Sequence, residues 1–221
     1  AQLEDSIASM ETLQSSLSDN DDKEAASQVV TAARSRLNML DAGVNIIEES
    51  LMATEAFLKA RSGWNAVINA DAAIREATAL AEEMSKENIL ASQAKGNEAL
   101  AFLEEAQQDF SQAEAAYPGL DLAAFEAYVV KRMESQQAAL AADDAYLSRN
   151  KEELEAQNSR YNALEEEAAA LAQELGEDDP EQIVALRFYK EIEADQGAYE
   201  AERLKAGNAD AFLREYLGTA S

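Results

Sequence analysis

The sequence predicts an all-α fold, an elongated antiparallel helical bundle with long coiled-coil-like helices, a helical hairpin arm and no β-sheet. Three observations carry this expectation. Apolar residues recur at steps of three and four, and no segment sustains period-two alternation. The strong breakers are eight glycines and two prolines in 221 residues, and most fall where an apolar stripe ends. Hydrophobic residues make up 47 %, but many are alanine, so the core must be thin and spread along helices.

Seven helices are expected. The first covers residues 3–17, with Leu3, Ile7, Met10 and Leu17 inward. The polar run Ser18-Asp19-Asn20-Asp21-Asp22 ends it, and Asp21 with Glu24 forms a plausible capping box for the next. The second helix, residues 22–61, carries the stripe Val30, Ala33, Leu37, Leu40, Val44, Ile47, Leu51, Thr54, Leu58. Its steps alternate three and four without a slip, the coiled-coil period. Gly43 lies off that stripe, and Ser62-Gly63 supplies the stop.

The third helix runs over 64–95, with a kink left open near Met84 and Ser85. Lys95-Gly96-Asn97 reads as a last-turn cation, a C′ glycine and a new cap. The fourth covers 98–116, with Leu100, Leu103, Phe110 and Ala113 inward, and Tyr117-Pro118-Gly119 breaks it.

The fifth helix begins after the cap Asp121 and meets no Gly or Pro before Gly176. That makes about 54 residues, or about 80 Å. Its clean column is Met133, Leu140, Leu147, Leu154, Tyr161, Ala168 and Leu175; the second is largely polar, with Gln136, Asp143, Asn150 and Gln157. So narrow a stripe suits a projecting arm or a wet seam. Asp179 and Pro180 then cap a sixth helix over 180–206, bearing Ile183, Val184, Leu186, Phe188, Ile192, Tyr199 and Leu204. Gly207 stops it. Asn208 starts a short last helix through 217, with Phe212, Tyr216 and Leu217 inward. The short Gly176–Asp179 turn favours an internal hairpin over an interchain coiled coil registered by Asn150. Residues 1–121 form an N-terminal bundle of about four helices on this reading. Residues 122–221 form the hairpin and short last helix, packed with the first part as one domain.

Composition excludes much chemistry. There is no Cys and no His, hence no disulfide, thiolate nucleophile, zinc–thiolate site or His-based triad. Lys and Arg number 18 against 44 Asp and Glu, a net charge of −26. That balance argues against nucleic acid and anionic membrane surfaces. A charged partner would be basic. No apolar run is long enough to span a bilayer. The missing initiator Met and absent Cys point toward an extracytoplasmic setting, as a mature exported protein or lipoprotein ectodomain.

Candidate motifs resolve into structure. Ala106, Phe110, Ala113 and Pro118 match the second-helix pattern of tetratricopeptide repeats, yet of Leu90, Gln93, Ala94 and Asn97 only Ala94 fits the first helix. The fragment Ala53, Phe57, Ala60 echoes it at the wrong distance, so the pattern reads as tight packing around small residues. The acidic turns at 19–22 and 177–179 fail as calcium loops, because Glu24 and Val30 stand where Gly and Glu are needed. Carboxylate pairs such as Glu82-Glu83 and Glu165-Glu166-Glu167 are too common to mark a catalytic pair. Neither catalysis, a cofactor nor a metal is expected.

The leading expectation is a non-catalytic scaffold or protein-interaction module, acting through a protein partner or self-association of its heptad helices. Trp64, Tyr117, Phe125 and Tyr128, clustered at helix junctions, are its candidate partner surface. The alternatives are a ligand-binding bundle with an aromatic-lined pocket and a carboxylate-based metal protein.

Overall fold

The computed structural model describes residues 2–219, without the side chains of Gln2 and Leu3, so the inward position expected of Leu3 lies outside what is described. The described residues form six helices and no strand: α1 (Gln2–Ser16), α2 (Asn20–Glu82), α3 (Lys86–Ala116), α4 (Ala123–Leu147), α5 (Lys151–Leu175) and α6 (Pro180–Tyr216). The fold is an all-α helical bundle with long helices.

Several expected breaks do not occur. Ser62-Gly63, Lys95-Gly96-Asn97 and Gly207 all lie inside helices. Gly63 and Gly96 are there for room. A Cβ on Gly63 would sit 2.8 Å from the Phe110 ring, and one on Gly96 would sit 2.5 Å from the Gln136 amide. Glycine in mid-helix costs about 1 kcal/mol against alanine, and close helix approach offsets that cost. At Gly43, Gly197 and Gly207 a Cβ would meet nothing within 4 Å.

Two breaks fall at residues other than glycine. Met84 adopts φ 45° between α2 and α3, and Ser85 caps α3 by accepting from the Asn88 N–H at 3.1 Å. The expected 54-residue fifth helix is interrupted likewise. Arg149 sits at φ 58°, and the Asn150 side chain accepts from the Glu153 N–H. Asn150 is therefore a helix cap rather than a coiled-coil register residue. At α2 the cap is Asp19, whose carboxylate accepts from the Asp21 and Asp22 N–H groups; the expected Asp21–Glu24 box is not used. Asp179 does cap α6, accepting from the Gln182 N–H at 2.7 Å. The Tyr117–Gly119 break stands, with Gly119 at φ 81°.

The chain divides into two compact units, Ala1–Leu51 with Phe188–Ser221, and Met52–Arg187.

In the first unit α1 lies antiparallel to the start of α2. Glu11 pairs with Arg34, and the Gln14 amide donates to the Lys23 carbonyl. The second part of α6 runs antiparallel along α2 as well. Tyr216 donates to Asp22, Arg36 pairs with Asp210, and Asn45 donates to Asp195 at 3.2 Å. Ile7, Val30, Ile192 and a set of alanines are buried here. Leu204 and Leu217, expected inward, are two-thirds exposed, and Tyr216 is 43 % exposed.

The second unit is an up-down arrangement of the second part of α2 with α3, α4 and α5, closed by the first turns of α6. Lys59 pairs with Asp109 and Lys95 with Glu76, tying α2 to α3. The Gln93 amide donates to Asp144, tying α3 to α4, and Lys131 pairs with Glu167, tying α4 to α5. Arg61 pairs with Glu181 at the start of α6. The core is built of Val67, Leu103, Phe110, Leu122, Val129 and many alanines, several with no exposed surface. The inward column of α4 is Phe125, Val129, Arg132 and Gln136, not the expected Met133, Leu140 and Leu147, which are half-buried. Leu186, expected on the apolar face of the sixth helix, is 66 % exposed.

Candidate functional site

Two features stand out, one in each unit. The first is on α2. Its heptad column Val30, Leu37, Val44, Leu51 passes from buried through half-buried to 50 % and then 67 % exposed. The partner column supplies Leu40 at 63 % and Ile47 at 60 % exposed. α1 accounts for the gradient. Ile7 and Leu37 line one hollow with Glu4 and Asn38, so the described side chains of α1 cover the seam as far as Leu37. Beyond it, Leu40, Val44, Ile47 and Leu51 form one outward face. Helix geometry places these four within about 60° of one another. Ala42, on the opposite side, is 5 % exposed and buried. The large aliphatics thus face solvent while an alanine faces the core, the reverse of an ordinary amphipathic helix.

The second feature is a cleft of about 470 Å³ in the Met52–Arg187 unit, between α2, α4 and α5. Arg132 lies at its floor, 9 % exposed. It makes bonds of 2.6 and 2.7 Å to the two Glu165 oxygens and one of 2.7 Å to Asp71. Ser135 donates to the same Glu165 carboxylate. Burial works against the Arg132 charge, but Glu165 and Asp71 overcome it and hold its pKa above the usual guanidinium value. Arg132 Nε is buried with no hydrogen-bond partner. Tyr128 and Tyr161 flank the group; burial foremost, then the neighbouring carboxylates, pushes both phenols up. A smaller hollow of about 210 Å³ shares Thr78, Glu82 and Tyr161 with the cleft and is lined also by Ser92, Gln136 and Asp143. Burial raises the Asp143 pKa, and a hydrogen bond from Ser92 partly opposes it.

The aromatic surface expected from sequence is divided by the structure. Phe125 is buried, meeting Trp64 edge-on at 5.6 Å and Phe110 at 5.9 Å. Tyr117 is 1 % exposed, with the Arg187 guanidinium over its ring. Both are core residues and leave no face to a partner. Trp64 is half-buried against Phe125, and Tyr128 lines the cleft. Sequence reasoning missed Arg132, Asp71 and Glu165. Their one available signal was a cation in phase with Phe125, Val129 and Gln136 on α4.

Among the described residues, no group of three carboxylates is placed to hold a metal ion, and no helix is long and apolar enough to cross a membrane. No family model, curated protein or solved structure matches the chain.

Proposed function

We propose that this chain is a non-catalytic helical interaction module whose outward face on α2 seats a partner helix. The observation that supports it is the run Leu40, Val44, Ile47 and Leu51, each half to two-thirds exposed and in heptad register. Scattered exposed apolar residues are ordinary, whereas four on one helical face form a patch that water disfavours. Knobs-into-holes packing by an amphipathic helix removes it from water.

The test is a titration of the full chain with a synthetic amphipathic helix bearing Leu at its a and d positions and Gln at its flanks. Binding should be one to one and should weaken at least about tenfold in Ile47→Asn, with helicity unchanged. Absence of binding by this peptide and by its charged counterparts, together with absence of self-association through this face, refutes the proposal.

The cleft supports a second reading, a ligand-binding bundle. Its volume lies in the range of small-molecule sites, and Arg132 Nε offers an unused donor. A thermal-shift screen tests it, because a ligand that binds only the folded state must raise the melting temperature. A screen in which every hit survives Tyr161→Phe and Arg132→Lys unchanged would count against the cleft.

A further inference from the structure

One flank of the outward seam on α2 is acidic and the other is uncharged: Asp41 and Glu48 lie on the same side, opposite Gly43 and Ser50. From residue 37 to 51, α2 carries Asp41, Glu48 and Glu49 and no Lys or Arg. Asp41 and Glu48 are exposed. α6 packs on the back of this stretch, on the side of Ala42, as the Asn45–Asp195 bond and the contacts of Glu202 with Ser35 and Asn38 show, so the seam itself stays open. The covered part of the same seam follows a different pattern. There Arg34 of α2 pairs with Glu11 of acidic α1. The seam therefore already holds one helix joined to its flank by opposite charges.

We infer, resting on the docking function proposed above, that the occupant of the Leu40–Leu51 face is a basic amphipathic helix. Its apolar residues would be spaced three and four apart, with Lys or Arg on the flank that faces Asp41 and Glu48. The face is about three helical turns long. Its four seam residues leave about 400 Å² of apolar surface, roughly half of what each partner of a standard stable interface buries. A second copy of this chain would bring the same short patch and an equally acidic flank, with no cation to meet Asp41 and Glu48. A basic helix supplies the missing attraction. That attraction is screened by salt, because Asp41 and Glu48 are exposed.

The experiment uses the full chain and three peptides sharing one Leu heptad core, with Lys, Gln or Glu at the flanking positions, titrated at low and high salt. The Lys peptide should bind about 30-fold tighter than the Gln peptide at low salt, with the gap shrinking at high salt. The Glu peptide should not bind. Ile47→Asn should weaken the Lys peptide at least about tenfold, and Asp41→Asn with Glu48→Gln should erase the Lys preference while leaving the Gln peptide unchanged. Circular dichroism confirms folding of each variant. Equal binding of the Lys and Gln peptides overturns the inference and leaves the docking function standing. Lys-peptide binding indifferent to Ile47→Asn reveals mere charge attraction and overturns it too. Silence from all three peptides, with a concentration-dependent dimer abolished by Ile47→Asn, makes a second copy the occupant and overturns the basic-partner inference. Silence without a dimer removes both the inference and the function beneath it.

Discussion

Gly63→Ala sets two known effects against each other at one position. In an open helical position the change stabilises by about 1 kcal/mol, because alanine loses less backbone freedom on folding. Here the added methyl would lie 2.8 and 2.9 Å from two Phe110 ring carbons and 3.2 Å from the Ala106 carbonyl oxygen. Phe110 has no exposed surface and is held against Phe125 at 5.9 Å, so the ring cannot simply swing aside. Helix α3 must move outward or the ring must leave its rotamer. Overpacking of this kind costs about 1–3 kcal/mol, which offsets the gain and leaves a net loss of up to about 2 kcal/mol. Gly43→Ala is the control: nothing lies within 4 Å, and the same change should gain about 1 kcal/mol. Urea unfolding followed by circular dichroism reads both. Fluorescence of Trp64, the one tryptophan, follows the second unit by itself. A Gly63→Ala midpoint at or above that of the parent would show that the helices do not approach closely here, and the packing argument would be wrong.

Breaking the ion cluster should be costly on one side. Glu165→Gln leaves Arg132 half-compensated at low exposure and should destabilise by about 2–4 kcal/mol, whereas Arg132→Met, which removes the charge with its desolvation cost, should lose less; equal losses in urea titrations would refute this. Arg149→Gly relieves a left-handed residue and should stabilise by up to about 1 kcal/mol, while Asn150→Ala removes the α5 cap and should cost about as much. Asp143 has its pKa raised in the folded state, so folding binds its proton more tightly and the group subtracts stability as pH rises through the carboxylate range. Asp143→Asn should therefore raise the melting temperature at pH 7 and leave it unchanged near pH 3, and a gain confined to acid would reverse the sign.

Helical periodicity carried the fold class, because α-helices need only local apolar spacing and the residues that cap them. The Tyr117–Gly119 break and the Asp179–Pro180 start were equally legible, since proline and a preceding carboxylate act locally. Gly63 and Gly96 misled because glycine has two uses, and packing space depends on a helix distant in sequence. Arg149 was hidden for the opposite reason, and at Met84 only a kink was left open. Each adopts a positive φ that composition gives no cause to expect there, and neighbouring hydrogen bonds hold it, such as the Asn150 N–H on the Ala145 carbonyl. The heptad stripe of α2 was legible as a period alone: spacing marks which residues share a face, not whether anything covers it. The Arg132 cluster was illegible for a related reason. Asp71 and Glu165 come from other helices, and nothing in a strongly acidic sequence sets those two carboxylates apart.

The alanine core has a thermal consequence. Ala56, Ala60, Ala70, Ala99, Ala106, Ala113 and Ala138 have no exposed surface, and none has a side-chain rotamer to freeze on folding. Each also withdraws little hydrocarbon from water, so the heat-capacity change of unfolding should fall below the usual value of about 12–15 cal/mol/K per residue. A small heat-capacity change flattens the curve of stability against temperature. This protein should therefore weaken gently in both directions from its optimum, resisting cold as well as moderate heat, as scanning calorimetry would record.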